Sequence, residues 1–495
     1  MLINGQKINK EEFLAIKSEI TDVGITISVK NKKYRIEYPA EIWQAYSETN
    51  RELLLDNLTF MQTCHLPASH KKKGAVYSTS FPLFETFAFE STMYDIPSTA
   101  VIDKEKTSSY MRKFFNSNFL FSSYDTVMPH IEKKRKASNK KKQTAILLFT
   151  AGKESLLTLA LCMELGITPV PIYMNENPAH PETKHKEKII KTIEDKYGIK
   201  VHKILNESGK LRYCDLGEED NNWGAGTQFL TYVLLTLPFV QHYDADYILF
   251  GNEYSCDDFT HCDEGFKSNF CFDQCSEWTK QLNIVTQIMT NGNVEVGSLV
   301  GPLYEIGLIK ILHERYPQLA KLQMSCFSDT EEGKSRVWCG NCSKCARMFV
   351  FFKALGMDTG KVGFENNMFN KDCRKHFSIF GNDCAYSYDI SGLGEEEQTL
   401  AFFMASARGE TGYLIDEFKK LPAFAELSSN FKKVHRKYFS QYENVAIPYE
   451  LRERVMDIFD ESYQGKFEPK DFRLKHVIDS DELEEKAELI KEPQQ

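Results

Sequence analysis

The residues best placed for chemistry form one short stretch, Thr150-Ala151-Gly152-Lys153-Glu154-Ser155. An apolar run precedes this stretch and an apolar run of helical period follows it, which predicts a strand, a tight turn and a helix. The first N–H groups of a helix have no partner inside the helix, and the helix dipole adds partial positive charge there. We therefore predict a phosphate site at Gly152 to Ser155, with a full charge from Lys153 and a hydroxyl from Ser155.

A second polar loop follows the predicted core strand at 246–250, beginning with Gly251 and Asn252 and containing Glu253 and Asp257. The carboxyl ends of parallel strands meet at one edge of a sheet, so we expect this loop to lie beside the phosphate site. Carboxylate and amide oxygens are preferred ligands of Mg²⁺. Gly251 and Asn252 are therefore predicted to contact a nucleotide, and Glu253 and Asp257 to bind magnesium or act in catalysis. The alternative is an acidic loop that only faces solvent.

Four cysteines form the most specific pattern in the sequence. Cys339, Cys342 and Cys345 are separated by two residues each, and Cys326 lies upstream of them. Four thiolates complete the tetrahedral shell of a zinc ion and leave no position open for a substrate. We therefore predict one structural zinc, with an iron–sulfur cluster on the same ligands as the alternative.

Three other groups give weaker signals. The Gly-rich stretch Trp223–Gln228 opens a predicted helix and is a candidate substrate or phosphate contact. The basic run Lys133–Lys142 is either a solvated connector or a site for RNA or nuclear import. A histidine and three cysteines are spaced too loosely to predict a metal site, and these cysteines are predicted to be free thiols; the group is His261, Cys262, Cys271 and Cys275.

The elements that must position these groups are predicted between residues 144 and 250. Strands are predicted at 145–149, 168–174, 200–204 and 246–250, and helices at 155–165, 185–196 and 227–243. Strands that alternate with helices form a parallel sheet. Right-handed crossovers then give a doubly wound sheet that binds ligands at the carboxyl ends of its strands. The predicted fold class is therefore α/β, with a doubly wound parallel core, an N-terminal α+β domain and a helical C-terminal extension.

The sequence divides into four predicted segments. They are an N-terminal α+β domain at 1–130, a basic linker at 131–143, a nucleotide-binding core with the four cysteines at 144–356, and a mostly helical extension with an acidic tail at 357–495. The first domain includes a predicted hairpin at 25–38, where two alternating runs flank a turn. It carries no catalytic motif and is predicted to shape the substrate site or to form a homodimer.

Composition limits the class of protein. A chain of 495 residues exceeds one average core and predicts two or three domains. With 26% charged and 13% aromatic residues the chain is expected to be globular, and its net charge of -9 argues against broad binding of nucleic acid or anionic membranes. There is no apolar signal segment and no uninterrupted apolar run of about 18 residues. We therefore predict a cytoplasmic protein without a membrane span, in which the 13 cysteines serve as thiols and metal ligands.

The stretch at 150–155 resembles the PP-loop, whose usual form is SGGKDS, and it departs from the Walker A pattern, which would require Gly in place of Leu147. Gly152, Lys153 and Ser155 match the loop. Three residues stand where the family has Ser, Gly and Asp; they are Thr150, Ala151 and Glu154. With the downstream cysteines, Thr144–Gly356 resembles the PP-loop ATP pyrophosphatases, and in particular the 7-cyano-7-deazaguanine synthases. The resemblance implies bound ATP and Mg²⁺, attack of a substrate carboxylate on the α-phosphorus, release of pyrophosphate, and a zinc site late in the domain.

The overall layout is more similar to the ATP-dependent UDP-N-acetylmuramoyl-L-alanyl-L-glutamate epimerases. That resemblance implies adenylation of a terminal glutamate, followed by inversion at its α-carbon. Lys153 and Ser155 are then the expected catalytic groups at the phosphates, and Glu253, Asp257 and His261 are nearby candidates for proton transfer. Nitrile synthesis and a nucleotide- or tRNA-binding module without turnover stay open as alternatives.

Overall fold

The computed structural model describes residues 2–3, 6–7, 11–130, 142–213, 215–217, 223–381 and 391–463. The chain forms two compact units. Unit 1 comprises Met1–Pro302 and Tyr442–Val455, and unit 2 comprises Leu303–Gln441 and Met456–Gln495. The predicted basic run, except for its last residue, and the predicted acidic tail lie outside the described residues. No described helix combines the length and the apolar character that crossing a bilayer requires.

Within the described part of the chain, all strands belong to unit 1. They are β1 Leu2–Ile3, β2 Gln6–Lys7, β3 Phe13–Thr21, β4 Gly24–Val29, β5 Lys32–Glu37, β6 Gly74–Tyr77, β7 Asn118–Leu120, β8 Thr144–Leu148, β9 Thr168–Asn175, β10 His202–Asn206, β11 Tyr247–Phe250, β12 Thr260–His261, β13 Lys267–Ser268 and β14 Glu295–Ser298. Ten of them form one sheet in the order β14-β11-β8-β9-β10-β5-β4-β3-β6-β7. Strands β1 and β2 form a separate pair, as do β12 and β13.

The half of the sheet from β14 to β10 is parallel throughout. Numbered along the chain, its five strands stand in the order 3-2-1-4-5, with β8 as the first and β11 as the fourth. Strand β8, with the sequence TAILL, is an almost continuous apolar run, as expected for a strand covered on both faces. The predicted mixed α/β class with a large, mostly parallel sheet is confirmed, and the four predicted core strands coincide closely with β8, β9, β10 and β11.

The N-terminal strands continue this sheet. Strands β3, β4 and β5 are antiparallel neighbours, and β5 pairs with β10 through Leu205 opposite Glu37 and Asn206 opposite Ile36. The predicted hairpin is therefore confirmed as β4 and β5. The predicted boundary at 130 differs from the structure, in which residues 1–130 share unit 1 with the core. The physical reason is that β10 would otherwise be an edge strand with unpaired N–H and C=O groups, and β5 pairs with them.

Helices cover the sheet of unit 1. They are α1 Ala40–Ala45, α2 Glu48–Met61, α3 Leu66–Ser69, α4 Glu85–Ile102, α5 Thr107–Phe115, α6 Lys153–Glu164, α7 Pro181–Tyr197, α8 Gln228–Tyr243 and α9 Ser276–Thr290. One apolar cluster packs α2, α8 and α9 against the sheet and includes Ile146 of β8 and Ile248 of β11. Leu147 and Leu249 point to the opposite face because side chains alternate along a strand, and they are also buried. Both faces of the sheet are therefore covered.

Unit 2 is helical in its described residues. From residue 303 onward the helices are α10 Glu305–Arg315, α11 Pro317–Ala320, α12 Ser343–Ala354, α13 Glu395–Ala407, α14 Tyr413–Phe418, α15 Pro422–Tyr438 and α16 Arg452–Tyr463. Glu397 accepts the N–H of Ile306 at 2.8 Å, and Arg347 pairs with Glu305 at 2.7 Å. These buried polar contacts join α10, α12 and α13, so the predicted core segment 144–356 divides at about residue 302 instead of forming one unit.

Asp56 in α2 provides a test of stability against pH. This carboxyl is 5% exposed and accepts the N–H of Ser80 at 3.1 Å, and burial raises its pKa to about 7. The native pKa is higher than the unfolded value of about 3.9, so the native state binds more protons in this window and stability falls as pH rises through it. We expect Asp56→Asn, which keeps the acceptor and removes the charge, to raise the melting temperature more at about pH 8 than at about pH 5. Thermal denaturation of the variant and of the unsubstituted protein at both pH values measures this increase. An increase in melting temperature that is equal at the two pH values would contradict the prediction.

Candidate functional site

The predicted phosphate loop connects β8 to α6. Phe149 extends the ladder beyond β8 by donating its N–H to the carbonyl of Ile172 at 2.9 Å. Ala151 then takes the left-handed region with φ 56°, and Gly152 takes the extended N-cap position with φ −73°. The chain reverses at these two residues, so α6 begins at the carboxyl end of β8. The predicted strand, turn and helix are therefore present in this order, with Lys153 as the first residue of the helix.

Two hydroxyl groups hold the loop in shape. Oγ of Ser155 accepts the N–H of Thr150 at 3.3 Å and donates to the carbonyl of Gly152 at 3.2 Å. Oγ1 of Thr150 accepts the N–H of Gly152 at 3.4 Å. Thr150, which stands where the PP-loop family has Ser, thus provides a hydroxyl that stabilises the turn. The conformation of the loop is therefore stabilised by hydrogen bonds from its own Thr150 and Ser155 side chains.

Lys153 brings a positive charge to the start of α6. Its side chain is 7% exposed, and Nζ forms an ion pair with the carboxylate of Glu154. A buried ammonium needs such a counter-charge. The helix dipole also places partial positive charge at this end, so an anion bound here would interact favourably with both the ammonium and the helix.

The loop after β11 packs directly on the start of α6. A Cβ atom added to Gly251 would lie 2.6 Å from Cβ of Glu154 and 3.4 Å from the backbone nitrogen of Ser155, so only glycine allows this approach. The next residue, Asn252, is 4% exposed, and its Nδ2 donates to none of the described residues. Its backbone carbonyl accepts from Oγ of Ser298 at 2.6 Å. The two predicted loops therefore meet at the carboxyl ends of β8 and β11.

Gly251→Ala tests this approach. The added methyl would overlap Glu154 and displace the start of α6, and overpacking of this kind costs about 1–3 kcal/mol. We expect a lower melting temperature and weaker ATP binding, measured by thermal denaturation and calorimetry. Gly360→Ala is the control, because its added Cβ would meet only a side-chain oxygen of Asp358 at 3.2 Å. Equal melting temperatures and equal ATP affinities of the two variants would disprove the close approach of Gly251 to Glu154.

The three candidate residues for metal binding or proton transfer, Glu253, Asp257 and His261, each have a different partner in the structure. Oε1 of Glu253 accepts from Oγ of Ser255 at 2.6 Å, close to Asn252 along the chain. Oδ1 of Asp257 accepts the N–H of Ser276 at 2.6 Å, at the first residue of α9. His261 is exposed on β12, where its ring contacts Phe259. The structure thus brings Gly251 to the phosphate loop and engages Asp257 in capping a helix.

Comparison with models of protein families gives no match for the chain, and comparison with curated proteins gives none either.

The four predicted cysteines of unit 2 come together. The sulfur atoms of Cys326, Cys339, Cys342 and Cys345 all lie within 4.8 Å of one another, and those of Cys339 and Cys345 are 3.7 Å apart. Tetrahedral zinc with Zn–S bonds of about 2.3 Å separates its sulfur ligands by about 3.8 Å. Among the described residues this is the one group of three or more side chains arranged to hold a metal ion.

Backbone N–H groups point at three of these sulfurs. Ser328, Asn341 and Cys345 donate to the sulfurs of Cys326, Cys339 and Cys342 at 3.3, 3.4 and 3.4 Å. Such bonds stabilise thiolates and orient metal ligands. Thiol donation, first from Cys326, holds the pKa of Cys339 well below its usual range. The donor set fits a zinc ion, or another ion that prefers sulfur.

The weaker sequence signals have structural explanations. The glycines of the Gly-rich stretch allow close packing: a Cβ on Gly224 would lie 2.7 Å from the ring of His65, and one on Gly226 would lie 2.7 Å from Cβ of Asp95. Sγ of Cys275 accepts the N–H of Trp278 at 3.3 Å and caps α9. Cys262 accepts a hydrogen bond from Thr107 at 3.4 Å. Cys262 and Cys275 are free thiols, as predicted, and Cys271 forms no disulfide with a described residue.

Sequence reasoning missed a buried polar group at the same edge of the sheet. Glu176 follows the last residue of β9 and pairs with Arg212, which lies in the short helix Glu207–Tyr213 after β10. The rule that ligands bind at the carboxyl ends of strands could have found Glu176. Arg212 carried no comparable signal, because a single arginine beyond a strand is usually a surface residue.

Proposed function

We propose that the chain is an ATP-dependent enzyme that adenylates a carboxylate and releases pyrophosphate. The strand order is the observation that carries this proposal. In a doubly wound sheet of order 3-2-1-4-5, the connections reverse direction between the first and fourth strands, and ligands bind in the crevice at that point. Here the reversal falls between β8 and β11, the strands from which both candidate loops emerge.

Each group in these loops has a role in the proposal. The N–H groups from Lys153 to Ser155 and the ammonium of Lys153 bind phosphate oxygens, and the Lys153 charge stabilises the charge that develops as the α-phosphorus is attacked. The buried Nδ2 of Asn252 is a further donor. Glu253 would hold Mg²⁺, which neutralises phosphate charge when bound. Asp257 is less suited to this role because it caps α9.

The four-cysteine group is proposed as a structural zinc site. Four thiolates fill the coordination shell, so no open position is left for a reacting group. Its contribution is then to folding, because metal binding free energy is also folding free energy.

The first candidate substrate is a peptidyl glutamate, as in the muramoyl-peptide epimerases. Residues of the N-terminal segment, including Asp95 of α4, pack against Gly226 ahead of α8, so this segment contributes to the part of unit 1 that faces the strand ends. A substrate larger than a single base would use these additional contacts.

Isotope exchange between pyrophosphate and ATP tests the activity. We expect exchange that depends on UDP-N-acetylmuramoyl-L-alanyl-L-glutamate, with deuterium incorporated at the glutamate α-carbon in heavy water. Exchange only with 7-carboxy-7-deazaguanine would assign nitrile synthesis instead. Absence of exchange with every carboxylate would contradict the adenylation proposal.

A further inference from the structure

A polar cluster of buried and half-buried side chains lies beyond the carboxyl ends of β9 and β10. We use the name polar cluster for six residues: Gln62, Asp95, Glu176, Arg212, Tyr232 and Asp273. They come from six separate parts of unit 1: the end of α2, α4, the residue after β9, the segment after β10, α8, and the turn before α9. Strand β9 is the direct neighbour of β8, so the polar cluster is on the same edge of the sheet as the proposed ATP loop.

Glu176 is the fixed anchor of the polar cluster. Both of its oxygens accept from Nη2 of Arg212, at 2.6 and 2.8 Å. Oε1 also accepts from Oη of Tyr232 at 3.0 Å and from Nδ2 of Asn206 at 3.1 Å. A Cβ on Gly209 would lie 2.4 Å from this carboxylate, so the glycine allows the backbone to approach it. The position of the guanidinium is therefore set before any ligand binds.

Two buried donors of the polar cluster remain available. Arg212 is 5% exposed and Gln62 is 1% exposed, and Nη1 of Arg212 donates to Oε1 of Gln62 at 3.4 Å. Nε of Arg212 and Nε2 of Gln62 donate to no acceptor among the described residues. A buried donor without an acceptor costs about 1–3 kcal/mol. Two such donors, on residues that a hydrogen bond joins, point to a ligand oxygen as their acceptor.

The carboxyl groups of Asp95 and Asp273 act on each other, and the charge of Arg212 acts on Asp273. Asp273 is 8% exposed, and burial together with the nearby Asp95 and Cys271 raises its pKa, against the opposing charge of Arg212. Burial also raises the pKa of Asp95 to about 6, although the N–H of Gly226 and the hydroxyl of Thr99 stabilise its charged form. Two neighbouring carboxyl groups are thus buried close to each other, and the one nearby cation already pairs with Glu176. A ligand nitrogen that donates N–H bonds, or carries positive charge, would compensate them.

We propose that the polar cluster binds the recognition end of a small ligand that presents an oxygen acceptor beside an N–H donor. Arg212 and Gln62 bind the oxygen, and Asp95 and Asp273 bind the nitrogen. The assignment of this ligand as the substrate of adenylation rests on the proposed function. Two chemical sources present such a pair: the C=O and N–H of an amino acid or acylated amino acid, and the lactam edge of a purine-like base.

Binding to the full-length, metal-loaded protein in the absence of ATP tests this proposal. Calorimetry compares two matched pairs of probes: N-acetyl-L-glutamate with glutarate, and hypoxanthine with purine. The second member of each pair lacks the acceptor–donor edge. We expect one first member to bind at least about 10-fold more tightly than its partner, which a difference of about 1.4 kcal/mol provides. If the protein distinguishes N-acetyl-L-glutamate from glutarate, the ligand is an amino acid or acylated amino acid. If it distinguishes hypoxanthine from purine, the ligand is a purine-like base.

Variants locate the site of that binding. Asp273→Asn is isosteric and removes an unfavourable buried charge, so we expect it to fold and to lose the discrimination. Asp103→Asn is the matched control, because Asp103 lies at the end of α4 and accepts from Tyr110 at 3.0 Å outside the polar cluster. Equal binding of both members of each pair, no binding of any probe, or unchanged discrimination in Asp273→Asn would each overturn the proposal. Exchange activity is measured separately, so discrimination without exchange would contradict only the adenylation proposal.

Discussion

Lys153→Met is expected to reduce adenylation by about 10²- to 10³-fold, the usual cost of removing one group that stabilises developing charge. Methionine keeps the length and the apolar stem of the buried lysine, so the loop should remain packed. In the proposed site, the lost ammonium would contact the phosphates in both the ground state and the transition state. ATP binding should therefore weaken as well. Pyrophosphate–ATP exchange and calorimetry with ATP and Mg²⁺ measure the two effects.

A control separates the effect of position from that of charge. Lys203 also forms an ion pair, with Glu187 at 2.9 Å, but its side chain is 44% exposed and lies on the surface of β10. Lys203→Met should leave exchange and ATP affinity within about twofold, because exposed ion pairs contribute little. Unchanged ATP binding and turnover in Lys153→Met would disprove the role given to the loop.

Cys345→Ser is the second change with a large expected effect. Cys345 is fully buried in the four-sulfur group, and a serine hydroxyl is a poor ligand for a metal that prefers sulfur. The bound zinc should fall from one per chain to near zero. Because apparent binding free energies of structural zinc reach about 10–16 kcal/mol, we expect the melting transition of unit 2 to fall by about 10 °C or more. Metal analysis and calorimetric melting measure these changes.

Cys373→Ser is the matched control for the metal site. Its sulfur lies near the group, at 3.9 Å from the carbonyl of Gly340, but is not one of the four. Zinc content and melting should therefore stay close to those of the unsubstituted protein. Purified protein with no metal, or with the visible absorption of an iron–sulfur cluster, would show that the zinc assignment is wrong.

The sequence predicts groups that are local in the chain and misses those that meet only in the fold. The strands β8 and β11 and the loop at Lys153 follow from apolar runs and a small-residue turn, and the cysteine spacing predicts a group that the structure brings together. The polar cluster has no such signal. Gln62, Asp95 and Asp273 lie in or beside helices with no special spacing, and only the folded sheet brings their segments near Arg212.

Domain boundaries were the other difference. Composition changes at about residue 130, but backbone hydrogen bonds between β5 and β10 do not depend on composition, so the sequence could not show that the sheet continues. The predicted boundary at 356 differs in the same way. Glu305 of α10 and Arg347 of α12 form a buried ion pair, and both residues precede this boundary. Nothing in their sequence positions indicates that α10 and α12 pack with helices that follow residue 356.

Because β5 pairs with β10, the N-terminal hairpin supports the segment Glu207–Tyr213, which carries Arg212. Arg35 of β5 holds Glu207 at 2.9 Å at the start of that segment, and Lys32 and Tyr34 hold Asp215 at 2.9 and 2.8 Å just beyond its end. The guanidinium at the centre is thus oriented by a strand more than a hundred residues away in sequence. A fragment that starts at Thr144 would keep the proposed ATP loop and the four cysteines of the proposed metal site. It would lose the strand that holds both ends of the segment carrying Arg212.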